Sequence, residues 1–227
     1  MKELSKGQKL AKELVYEKKN YFSKAKQEEL NNCFSFAEDY KKFLNNSKTE
    51  REACKFSVDL LKQNGFTEFQ FGDKLKVGDK KYFVNRDKSV VAFRIGKNNL
   101  EEHGIKILGA HIDSPRIDLK QNPVYEQDGF CLFKTHYYGG IKKYQWATIP
   151  LALHGMVVLN DGKKVEIKIG EDENDPIFYI SDLLPHLGTK QMSLKGNEII
   201  TGEQLNIIAG GMPYACLLYT SDAADEL

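Results

Sequence analysis

The sequence predicts an α/β protein, with helices first, strands of a mixed sheet after them, and a second, mostly β unit behind. Three observations carry that expectation. Apolar residues recur every three or four positions before Gly65. Short apolar runs separated by Gly, Asp and Asn follow it. Helical periodicity almost disappears beyond Lys120. Helices that precede strands in this way suggest an α/β or α+β domain, since each element has an apolar face to cover.

From Gln27 to Leu44, the positions Leu30, Phe34, Ala37, Tyr40 and Leu44 form one face of an amphipathic helix, which Asn45-Asn46-Ser47 breaks. Ser47-Lys48-Thr49-Glu50 has the capping-box form and opens a second helix running to Asn64-Gly65, with Ala53, Phe56, Leu60 and Leu61 facing inward. Phe66–Phe71, Lys81–Val84, Val90–Ile95 and Ile105–Ala110 then read as strands, the last apolar enough for the interior of a sheet. The second unit contributes strands at Phe130–Phe133, Ile149–Leu159, Val165–Ile169 and Ile177–Ile180, and a short turn around Ser181–Leu187. The boundary is expected near Gln121-Asn122-Pro123, giving units 1–120 and 121–215. Residues 216–227 resemble the translation of a sequencing-library adapter and are expected to lie outside the native protein.

Composition narrows the function. The 227 residues are 29% charged and 41% hydrophobic, with 33 Lys+Arg against 32 Asp+Glu. So even a balance supplies no bulk field for nucleic acid or an anionic membrane. Apolar runs such as Ile149–Leu153 are too short to span a bilayer, and Met1–Lys19 is charged throughout, unlike a secretory signal. Cys33, Cys54, Cys131 and Cys216 are scattered without a C-x-x-C pair, as in a reducing, cytoplasmic protein.

The strongest local constellation is Gly109-Ala110-His111-Ile112-Asp113-Ser114-Pro115. An apolar strand running into it would project His111 and Asp113 to the same face, at the carboxyl end of a strand where α/β sites gather. A neutral imidazole suits zinc, and a neighbouring carboxylate fixes its tautomer. H-x-D by itself is more often a hydrogen-bonded turn than a metal site, and a zinc site needs about three protein ligands. His136 and His154 fall in strand-like runs and read as packed or hydrogen-bonded residues; His103 sits in a polar turn.

The wider string resembles the G-[AS]-H-x-D-S-P segment of the M18 aminopeptidases. Tyr138-Gly139-Gly140 resembles the Y-G-G segment of that family, and Ile180–Leu187 stands in the place of its I-P-H-L-x-x-H-L segment. Gly202-Glu203-Gln204-Leu205-Asn206 is similar as well, and Thr135–His186 is most similar to a clostridial-type branch. The resemblance implies a zinc-dependent aminopeptidase that removes N-terminal residues from peptides with two zinc ions. It also implies a mixed-sheet catalytic domain interrupted by an inserted β-rich domain that dimerises and builds larger homo-oligomers. Carried over by position, His111 is a zinc ligand and Asp113 the catalytic carboxylate that orients the site. His186 is a ligand or a residue that reaches a neighbouring subunit's site.

This sequence departs from the family where Ser181-Asp182 replaces Pro-His, and where Ile141–Thr148 stands in place of an aromatic- and charge-rich stretch. The family's bridging Asp, its Glu-Glu pair and its later Asp and His have no match: no Glu-Glu or Asp-Asp pair follows His111. The expectation is therefore a truncated, inactive chain with an incomplete catalytic domain. The alternative is a non-catalytic assembly module built on the β-rich unit.

Overall fold

The computed structural model describes residues 5–211 except 17 and 19. The adapter-like string 216–227 lies outside the described residues. The chain divides into two compact units, Met1–Asn46 and Ser47–Leu227.

In the first unit, Ser5 opens helix α1 (Lys6–Leu14): its hydroxyl accepts from the Gln8 amide while the Gln8 side chain accepts from the Ser5 amide. Helix α2 (Gln27–Asn45) covers the predicted amphipathic stretch. Glu28 and Glu29 sit in its first turn, where negative charge offsets the helix dipole, and Asn46 caps the Lys42 carbonyl at its end. No residue of α2 is buried, and Phe34 is 64% exposed. The predicted apolar face exists, but none of its residues is buried among the described residues.

The second unit begins with helix α3 (Glu50–Gln63), whose Ala53 and Cys54 are buried. Its cap lies two residues beyond the expected one. Thr49 is the N-cap and Glu52 closes the box, so the Ser47–Glu50 assignment is corrected. Both strings have the right spacing. Only Thr49 has its hydroxyl on a free helical amide, and the buried Ser47 hydroxyl has no partner among the described residues.

Three small sheets follow. Strand β1 (Thr67–Glu68) pairs parallel with β2 (Lys80–Asn85), which pairs antiparallel with β3 (Ser89–Arg94). Arg86 and Asp87 turn the hairpin with φ of 53 and 57, the mirror-image turn that suits twisted strands. The four-residue helix α4 (Leu100–His103) comes next, and His103 is exposed there. Ile105–Ala110 does not form the expected interior strand. It carries no strand pairing, and Ile107 and Leu108 are 77% and 102% exposed. An interior strand needs neighbours on both sides, and no described segment provides one.

Strand β4 (Arg116–Gln127) runs across residues 120 and 121 and turns through Asp128-Gly129 into β5 (Phe130–Tyr138). Both turn residues have positive φ, 52 and 81, as a two-residue hairpin requires. The pairing shifts register between Leu119 and Val124, where Pro123 has no amide to give the ladder. On its other edge β5 pairs with β8 (Ile207–Gly210). Strands β6 (Leu153–Val158) and β7 (Lys164–Ile169) form a separate hairpin. The predicted strand Ile177–Ile180 is reduced to isolated bridges from Phe178 to Leu151 and from Tyr179 to Ile208.

The core gathers Ala147, Phe178, Ile180, Ile200, Leu205 and Ile207, with Phe133 and Trp146 packed at its margin. Thr135 is buried beside it and donates 2.6 Å to the Leu205 carbonyl, so the polar group is satisfied. No helix among the described residues is long and apolar enough to cross a membrane.

Candidate functional site

His111 and Asp113 lie together in the irregular segment just before β4, not at the end of a strand. The strand periodicity expected to align them is absent, and a local bond replaces it. His111 Nδ1 is 2.9 Å from the Asp113 carbonyl oxygen and 3.2 Å from Asp113 Oδ1. Both oxygens only accept, so Nδ1 carries the proton and donates. That leaves the Nε2 lone pair on a ring whose side chain is 82% exposed.

The other carboxylate oxygen is also held. The Tyr138 hydroxyl donates to Asp113 Oδ2 at 2.8 Å. This hydrogen bond leads the causes that hold the Asp113 carboxyl below its usual range, with smaller help from its own amide and from His111. The same bond pushes the Tyr138 phenol up.

Behind Tyr138 stands Arg116, its guanidinium carbon 4.3 Å from the ring centroid. Arg116 donates through Nε to Asp118 Oδ1 at 2.7 Å and through Nη1 to Glu50 Oε1 at 2.9 Å. Burial pulls the guanidinium pKa down, but Asp118 and Glu50 outweigh it and the net shift is upward. Arg116 and Tyr138 are register partners on β4 and β5. One residue on, Gly139 has φ 78, and a side chain there would meet Pro115 at 3.5 Å. The H-x-D-S-P and Y-G-G strings, far apart in sequence, are therefore one local structure.

His186 lies apart, in the exposed turn 185–187, and makes no hydrogen bond or ion pair among the described residues. Among those residues no group of three or more His, Cys, Asp or Glu is arranged to hold a metal. His111 fits a zinc ligand, since its distal nitrogen is free and its proximal one is anchored to a carboxylate. It fits as one member of a set whose other members are not gathered around it.

His154 is engaged at both nitrogens, as its strand position suggested. Nδ1 lies 2.7 Å from Glu52 Oε1 and Nε2 2.9 Å from Glu171 Oε1, with the imidazole side chain 8% exposed. Each nitrogen faces a carboxylate oxygen, so neither is left open. Burial pushes the Glu52 carboxyl up, but the bond and charge of His154 and the bonds from Thr49 bring it below its ordinary value.

Sequence reasoning missed Arg116 and Glu50 and gave Tyr138 no role. The available signal was Asp128-Gly129, which announces the β4–β5 hairpin and hence that Tyr138 returns toward the His-x-Asp string.

Residues 43–215 match the family model described as aminopeptidase I zinc metalloprotease (M18). The chain belongs to the M18 peptidase family. The M18 match includes the probable M18 family aminopeptidase 1 of Clostridium acetobutylicum, 46% identical over 205 residues, covering 88% of this chain and 44% of that protein. The protein of the same description from Thermotoga maritima is 42% identical over 199 residues, covering 87% and 42%. Among solved structures, the Thermotoga maritima M18 aminopeptidase superposes with a TM-score of 0.79 at 42% identity, over 88% of this chain and 43% of that one. Aminopeptidase I from Clostridium acetobutylicum gives 0.75 at 42% identity, over 87% and 44%. The M18 chain thus spans less than half the length of the curated relatives it matches, 44% in the first case.

Proposed function

We propose that this chain carries part of the active site of a zinc-dependent aminopeptidase that removes N-terminal residues from peptides. The observation that supports the reading is the His111–Asp113 pair, with Nδ1 committed to oxygen acceptors and Nε2 left open. His111 would hold a metal through Nε2, and Asp113 keeps the ring in the tautomer that would make this possible. Zinc, when bound, polarises the scissile carbonyl and lowers the pKa of a bound water. Two ions per site, as the family resemblance implies, require ligands and a general base that have no match in these 227 residues.

His186 serves the same chemistry as a second ligand or as a contact to a neighbouring subunit's site. Its exposed turn suits either role. The β-rich stretch 121–215 is the unit through which the protein self-associates, in the cytoplasm. A solved relative at 19% identity is described as a dodecamer of mApe1, which supports the shared fold and leaves oligomer size to measurement.

Reading the coding DNA through and past the codon for Ala215 tests the proposal. The expected result is an open frame that continues into a Glu-Glu pair and a later Asp and His. A stop codon directly after that position would remove the catalytic reading and favour a non-catalytic assembly module.

A further inference from the structure

We propose that Tyr138 is a positioning residue of the candidate zinc site. Its hydroxyl fixes the Asp113 carboxylate so that the opposite oxygen, at 3.2 Å, joins the Asp113 carbonyl, at 2.9 Å, in holding His111 Nδ1 and leaving Nε2 for the metal. This rests on the reading of His111 as a ligand and adds a residue to it.

The geometry divides the Asp113 carboxylate between two partners: Oδ2 takes the Tyr138 hydroxyl at 2.8 Å and Oδ1 faces His111 Nδ1 at 3.2 Å. Rotation about the last bond of an aspartate is soft, so an unsecured carboxylate swings freely. Pinning one oxygen sets where the other points. The Asp113 side chain is 38% exposed and Tyr138 is 40% exposed. A hydroxyl that open gains little stability from a bond that water would equally supply. The consequence of the bond falls on the direction of the carboxylate.

Tyr138 is itself held, as a positioning residue must be. The Arg116 guanidinium covers its ring at 4.3 Å and is anchored by Asp118 and Glu50. Helix α3 thereby braces β4, β4 braces the ring on β5, and the ring braces the His-x-Asp segment. The approach of Gly139 to Pro115 closes the same loop from the backbone side.

Nitrogen-15 labelling of histidine in the full chain, with long-range proton–nitrogen spectra at a pH where the ring is neutral, reads the tautomer of His111 directly. His111→Asn assigns the resonance. In the wild type the Nδ1–H form predominates. In Tyr138→Phe, which keeps the ring and its stacking on Arg116, the ratio moves toward Nε2–H by about threefold, less than the roughly tenfold that loss of a whole hydrogen bond sets, because the Asp113 carbonyl still accepts from Nδ1. Backbone amide resonances of Arg116–Tyr138 report that the hairpin is intact. Arg116→Gln, which keeps the hydroxyl but frees the ring, moves the ratio the same way by less. A wild type in the Nδ1–H form that neither substitution alters would overturn the role of Tyr138 while leaving His111 as a ligand. A wild type mainly in the Nε2–H form would instead remove the ligand reading itself.

Discussion

The Tyr138 hydroxyl and His111 Nδ1 hold opposite oxygens of one carboxylate, Asp113, at 2.8 and 3.2 Å. A residue at the end of β5 and a residue ahead of β4 are thus coupled through a single side chain. The coupling has consequences that can be measured one at a time.

Asp113→Asn replaces the charged acceptor with a neutral amide, and the His111 ring loses the partner that raises its basicity. Zinc affinity of the product of the longer reading frame, followed by competition with a chromophoric chelator, should fall about 10–100-fold. Unchanged affinity would mean that Asp113 does not support the ligand.

His154 joins Glu52 on α3 to Glu171 beyond β7, with its side chain 8% exposed. His154→Gln can satisfy at most one carboxylate with similar geometry. The loss should be about 2 kcal/mol, because a largely buried charge is left without its partner. The midpoint of urea unfolding reports it. A shift within error would show that the two bonds are surface contacts of no energetic weight.

Acid should weaken the same clasp. The Glu52 carboxyl titrates below its ordinary value in the folded chain, so its stabilisation is complete above the unfolded value of about 4.3 and is lost as pH falls through the lower folded one. Asp87 and Asp175 are held low as well, by the Lys164 hydrogen bond and by backbone amides led by Gly170, and add to the slope in the same direction. Unfolding midpoints measured across this range should fall toward low pH, and Glu52→Gln should flatten the dependence. An equal slope in the variant would exclude Glu52 as a contributor.

The two candidate caps of α3 separate cleanly. Thr49→Ala should cost about 1 kcal/mol, since a helical amide loses its acceptor. Ser47→Ala should be neutral or stabilising, because the hydroxyl it removes is buried without a partner among the described residues. Thermal midpoints of the two variants decide between the boxes.

Local signals made much of this fold legible. The apolar spacing in α2, the Asn64-Gly65 stop of α3 and the strands β2, β3 and β7 lie where periodicity put them, because neighbours in sequence determine them. Ile105–Ala110 was misread for the opposite reason. An apolar run becomes an interior strand only when other segments flank it, and none among the described residues does. Within the candidate site, His111 and Asp113 were visible as a pair, but Tyr138 and Arg116 were not. Counting back along the Asp128-Gly129 hairpin from the Gln127–Phe130 pair would set Tyr138 opposite Leu119. The irregularity around Pro123 sets it opposite Arg116 instead. Register slips of that kind depend on long-range pairing, which local patterns do not carry.

Hydrolysis of an aminoacyl p-nitroanilide by the product of the longer reading frame, beside its His111→Ala variant, tests the proposed zinc aminopeptidase most directly. The expected result is activity that a chelator abolishes, that added zinc restores, and that the variant lacks. Hydrolysis that persists with the chelator or with alanine at position 111 would contradict it.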